Sequence, residues 1–159
     1  MARKIMGYAI IDWSPVIPYF KVNSHDHDYL DEPGFYIISI GKFDKKIKKY
    51  VDKKLQYIGI AYEQRIRERI LQNHKADDKI SKSLARNPEY KPLVQAGIII
   101  ESSYGKENRQ LFGDIEKLLI FDNQPQANTN HKEDYEGRNI IIINDGSNEL
   151  LEKFSYRYE

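Results

Sequence analysis

Apolar and polar positions along this chain follow two different periods, and the switches between them divide it into elements. Gly34 to Ile40 and Leu55 to Ile60 are short runs of β-branched and aromatic residues, the composition of a strand. Gly7 to Asp12 and Gln95 to Ser102 read the same way, as does Arg138 to Asn144 with its four consecutive isoleucines. Ala61 to Asn73 changes to the helical period. It is rich in good helix formers, and Ile66 and Ile70 fall four apart on one face. Asp77-Asp78 opens a second short helix that ends before Asn87-Pro88. Glu107 to Asp122 is a third, with Leu111, Phe112, Ile115, Leu118 and Leu119 on its apolar stripe. Residues 13–33, with Pro15, Pro18 and a polar run from Asn23 to Asp28, read as irregular, and Asp31-Glu32-Pro33-Gly34 is a turn signal. Lys42 to Lys54 carries seven lysines against two aspartates and reads as an extended hairpin connection with a solvated tip.

Composition narrows the class. A chain of 159 residues suits one domain with a sizeable core, here taken as 1–159. The absence of cysteine excludes disulfides and thiolate metal sites. The apolar run Tyr8 to Ile11 is too short for a secretory leader, and no stretch approaches the ~20 apolar residues of a membrane span. A cytoplasmic, intracellular protein without a membrane partner is therefore expected. Net charge is only +1, but it is unevenly spread. Residues 1–33 carry three Lys/Arg and five Asp/Glu, residues 34–130 carry 18 against 12, and residues 131–159 carry four against seven. A central excess of +6 is compatible with one face that meets a polyanion.

The candidate chemistry starts from two tripeptides, Gly34-Phe35-Tyr36 and Tyr57-Ile58-Gly59, 21 residues apart. Each puts an aromatic ring beside a glycine within a strand, where glycine marks a close backbone approach. Arg67 follows ten residues after Tyr57, and Glu116 opens the segment Glu116-Lys117-Leu118-Leu119-Ile120-Phe121-Asp122-Asn123-Gln124-Pro125-Gln126-Ala127-Asn128. In this order, the elements resemble the GIY-YIG nuclease superfamily over about 60% of the chain, from Pro33 to Asn130. The resemblance implies a compact mixed α/β (α+β) fold, a small central antiparallel sheet flanked by helices. Residues 33–130 form the nuclease core, and 1–32 and 131–159 are peripheral extensions that add strands.

It also implies an activity, metal-dependent endonucleolytic hydrolysis of DNA, with these parts. Glu116 holds one divalent ion, Mg²⁺ or Mn²⁺, a hard cation that takes few protein ligands. Arg67 offers phosphate the planar bidentate pairing that lysine lacks. It sits among Arg65, Arg67 and Arg69, and spacing alone selects it. Tyr57 or Tyr36 serves the attacking water as base or proton relay, with Tyr57 slightly favoured. Asn128 holds the site or positions phosphate, and Gly59 marks close approach of substrate. Where many members of the family have a histidine this chain has Leu71; His74, seven residues after Arg67, either reaches the site or closes the helix as a C-terminal residue favoured by the dipole. Lys45, Lys46, Lys48 and Lys49 of the insert are candidates for gripping the DNA backbone. The alternatives are a catalytically silent nucleic-acid-binding protein of the same fold and a structure-selective repair nuclease. No obligatory protein partner is evident, and a homodimer stays open. His25-Asp26-His27-Asp28 invites a metal reading, but alternating histidines and aspartates in a polar loop are more often solvated.

Overall fold

A computed structural model of the chain describes residues 7–72, 77–106 and 108–157. Its centre is the hairpin of β3 (Gly34–Asp44) and β4 (Lys49–Ala61), and β5 (Tyr90–Ser102) pairs antiparallel with the other side of β3. This antiparallel trio is extended by β1 (Gly7–Trp13), β6 (Ile140–Gly146) and β7 (Phe154–Arg157), in the order β4-β3-β5-β1-β6-β7. A two-residue strand, β2 (Ile17–Pro18), also pairs with β5. All pairs are antiparallel except β1–β6. The sheet is therefore a mixed one, wider than the small antiparallel sheet expected, and both ends of the chain widen it. Buried Trp13 fixes the parallel join, its indole Nε1 donating to Asn144 Oδ1 at 3.0 Å.

Two apolar clusters cover the two faces. On one face α3 (Arg109–Asn123) packs Leu111, Phe112, Ile115, Leu118 and Leu119 against Ile11, Phe35, Ile58 and Ile142, with the Phe35 and Phe112 rings 4.9 Å apart. On the other face lie α1 (Ile66–Leu71) and α2 (Asp77–Arg86), whose Ile66, Ile70 and Ile80 pack with Ile38, Val94 and Ala96. Successive strand residues point to opposite faces, so Phe35 and Tyr36 are divided between the two clusters.

Some elements differ from the sequence reading for identifiable reasons. The first helix is six residues long because Gly59, Ile60 and Ala61 continue the ladder to Gly34, and Glu63 then takes a left-handed conformation at φ 57°. The lysine-rich insert is mostly ladder rather than loop. Lys42 pairs with Val51, Phe43 with Tyr50 and Asp44 with Lys49, which leaves residues 45–48 as the turn. The irregular stretch before β3 holds 3-10 turns at Tyr19–Lys21 and Asp28–Asp31. Among the described residues no helix is long and apolar enough to cross a membrane.

Candidate active site

The two tripeptides meet across the β3–β4 hairpin. Tyr36 stands directly opposite Gly59 and Ile38 opposite Tyr57, so the two tyrosines are diagonal neighbours on one face of the sheet. A methyl group at Gly59 would overlap the phenol of Tyr36, and glycine is what lets that ring lie across β4. Gly59 thus gives its space to Tyr36, a use that its spacing in the sequence does not separate from contact with substrate. Ring centroids of Tyr36 and Tyr57 are 5.9 Å apart at 37°, and their hydroxyls share a hydrogen bond. Tyr36 is fully buried and Tyr57 half-buried.

Glu116 lies on α3, half-buried beside the apolar stripe. Burial pushes its carboxyl up to about 7, against the opposing pull of Arg69 and Lys117. Its charge reaches both tyrosines. Burial raises the Tyr57 phenol first and Glu116 adds to it, while Arg69 acts the other way; a weaker contribution comes from Asp77 at the start of α2. Burial likewise drives Tyr36 upward, with Tyr57 and Glu116 in support and Arg69 opposed. Four groups are therefore electrostatically joined: Tyr36, Tyr57, Glu116 and Arg69.

The arginine of this cluster is Arg69, and Arg67 faces elsewhere. Its Nε donates to Asp31 Oδ1 at 3.0 Å, its Nη2 to Asp31 Oδ2 at 3.3 Å, and its Nη1 to the carbonyl of Val22. That fork ties α1 to the turn before β3, and it holds the Asp31 carboxyl below its ordinary range. Positions two apart on a helix point about 200° away from each other, so only one of the pair can face the tyrosines. His74 lies outside the described residues.

Asn128 is 7% exposed and faces the backbone, with both its polar atoms engaged there. Its Oδ1 accepts from Ile58 N at 2.9 Å and its Nδ2 donates to Ile58 O at 3.0 Å, while Ala127 N donates to Gln56 O at 2.7 Å. The segment after α3 thereby pairs with the open edge of β4 at the level of Tyr57. Gln124 makes the turn that delivers it. It ends α3 in a left-handed conformation, φ 47°, and donates through its side-chain amide to the carbonyls of Phe121 and Lys132. The Glu116-to-Asn128 segment therefore acts as one clamp that sets α3 beside the edge of β4.

Lys45, Lys46, Lys48 and Lys49 sit exposed at the far end of the hairpin. Eight residues separate Lys49 from Tyr57, about 26 Å of strand. The His25-Asp26-His27-Asp28 motif is absorbed by local turns: His25 Nδ1 accepts from His27 N and His27 Nδ1 from Tyr29 N. No group of three or more His, Asp or Glu placed to hold a metal occurs among the described residues. Spacing in the sequence does not single out Arg69 or Asp77, whose charges the structure brings to bear on Tyr57. None of the known protein families, curated proteins or solved structures compared with this chain matches it.

Proposed function

We propose that this chain is a metal-dependent endonuclease of the GIY-YIG kind that hydrolyses phosphodiester bonds in DNA, with residues 33–130 as its core. The observation that carries the reading is the convergence of Tyr57, Tyr36, Arg69 and a half-buried Glu116 at the edge of β4. No hydrogen bond or ion pair among the described residues reaches the Glu116 carboxylate. A desolvated carboxylate of that kind fits a divalent cation, and one carboxylate plus waters and phosphate oxygens is a set that Mg²⁺ tolerates. Glu116 is the residue that would hold Mg²⁺ or Mn²⁺, which when bound supplies charge stabilisation at the phosphate and the leaving oxygen.

The chain's own groups divide the remaining tasks. Arg69 pairs with phosphate oxygens and balances the charge that builds as water attacks in line. Tyr57 contacts the water and relays its proton. Its phenol is held protonated by burial and by Glu116, so it passes its own proton to solvent water as it accepts one from the attacking water. Tyr36 is too deeply buried to meet substrate and orients the Tyr57 hydroxyl instead. Asn128 and Gly59 hold the β4 edge and the Tyr36 ring in place.

The reading is tested with purified protein and supercoiled plasmid in Mg²⁺ or Mn²⁺. Nicked or linear product that disappears with EDTA is expected. Retained binding with no cleavage of plasmid or branched DNA would overturn it in favour of a catalytically silent DNA-binding protein.

A further inference from the structure

We propose that Lys54 and Lys42, held over the ring of Tyr90, form a track for the phosphate backbone of duplex DNA leading away from the Tyr57 site. This rests on the reading of that site as one that cuts DNA. Register puts these groups on one face of the sheet. Tyr57 stands opposite Ile38, and Lys54 opposite Ile40. On β5, Tyr36 pairs with Ala96, and six residues farther along β3 Lys42 pairs with Tyr90. The active-site tyrosines and the two lysines therefore share a face.

The lysines are not loose surface charges. Lys54 Nζ lies 4.8 Å from the centroid of the Tyr90 ring and Lys42 Nζ 5.4 Å. The ring beneath them is 7% exposed, and its hydroxyl donates to Asp52. An aromatic face attracts ammonium groups and so fixes their positions, which lowers the ordering cost when an anion arrives. Acidic groups are near as well. Glu89 Oε2 is 3.6 Å from Lys42 Nζ, and Asp52 lies against the Tyr90 hydroxyl. Arg86 at the end of α2 adds a cation, bordering the same depression as Lys42, Glu89 and Tyr90.

Spacing selects the partner. Lys54 is about 10 Å of strand from Tyr57, and Lys42 about 20 Å from Tyr36. At 3.4 Å per nucleotide along one strand of B-DNA these distances correspond to roughly three and six phosphates from the cut. Backbone contacts of this kind fix register on the duplex without reading its sequence.

The test is anisotropy binding of a 30-base-pair mixed-sequence duplex across 50–200 mM KCl, using protein carrying Glu116→Gln so that the probe stays intact. Adding Lys42→Gln and Lys54→Gln should reduce the slope of log K against log salt by about 2, since each phosphate contact contributes about 0.9. Lys91→Gln, an exposed lysine on the opposite pleat, should leave the slope in place. An unchanged slope in the double variant, or an equal loss in Lys91→Gln, overturns the track. The result is separable from the fate of the nuclease reading: plasmid cleavage with an unchanged slope removes only the track, and a reduced slope without cleavage removes only the nuclease.

Discussion

Arg67 and Arg69 flank the buried pair Ile66 and Ile70 from opposite sides of α1, and their environments assign them different tasks. Arg67 is spent on Asp31 and the Val22 carbonyl, so Arg67→Gln should lower stability by roughly 1–3 kcal/mol in urea unfolding and leave the cleavage rate per folded molecule within a few-fold. Arg69→Gln should instead reduce the cleavage rate per folded molecule at least about 10²-fold. The reverse pattern would return the phosphate role to Arg67. The sequence shows why this was open: isoleucines at 66 and 70 fix the helix phase, but both arginines lie equally far from that stripe. Which side meets the tyrosines depends on the direction in which α1 crosses the sheet, and that is tertiary information. Glu116 gives a pH prediction. Its carboxyl sits at about 7 when folded against 4.5 ordinarily, so the folded state bears a buried charge above pH 7 and regains stability as that charge is protonated. Glu116→Gln should therefore be more stable than the wild type at pH 8, by roughly 1–3 kcal/mol, with the advantage shrinking as pH falls from about 7 and gone below 4.5. A variant less stable at pH 8 would mean that the carboxylate makes a stabilising contact of its own.

Elements, unlike single charges, were largely legible where the pattern is local. Both tripeptide strands follow from their β-branched and aromatic runs, α2 from its Asp77-Asp78 start and Asn87-Pro88 stop, and α3 from its apolar stripe, and the hairpin follows from two adjacent strands with a lysine-rich join. The extension of that hairpin ladder to Asp44 and Lys49 was hidden, because lysines on a two-stranded arm with water on one side read like a loop. Helix α1 is shorter than its helix formers suggest, because Ala61 is claimed by β4 and Glu63 is left-handed. The clamp at Asn128 was recognised as part of a motif, yet its physical use, two hydrogen bonds to Ile58, needs the fold. Asn128→Asp tests it. The aspartate offers no donor to the Ile58 carbonyl and sets a charged oxygen against it, so unfolding stability should fall by roughly 2–4 kcal/mol. Little change in urea midpoint would show that the β4 edge does not depend on this clamp.

At the scale of the whole molecule the near-neutral net charge conceals a division of labour. The antiparallel trio carries Tyr36 and Tyr57, α3 and α1 bring Glu116 and Arg69 to them, and the terminal strands β1, β6 and β7 widen the sheet on the side away from β4. The parallel β1–β6 pairing joins residues more than a hundred positions apart, and nothing in the local pattern of either strand specifies it. Basic residues concentrate in the middle of the sequence, and folding places Lys42 and Lys54 on the face of the tyrosines and the tip lysines some 26 Å along the hairpin. Under the proposed function, a long duplex lies along this face and is cut beside Glu116. The most direct measurement is the first-order rate of nicking of supercoiled plasmid in Mg²⁺ by the wild type and by Glu116→Gln, each purified identically and confirmed folded. The account predicts metal-dependent nicking by the wild type and a loss of at least about 10²-fold in the variant; equal rates in the two, or no nicking in either, would contradict it.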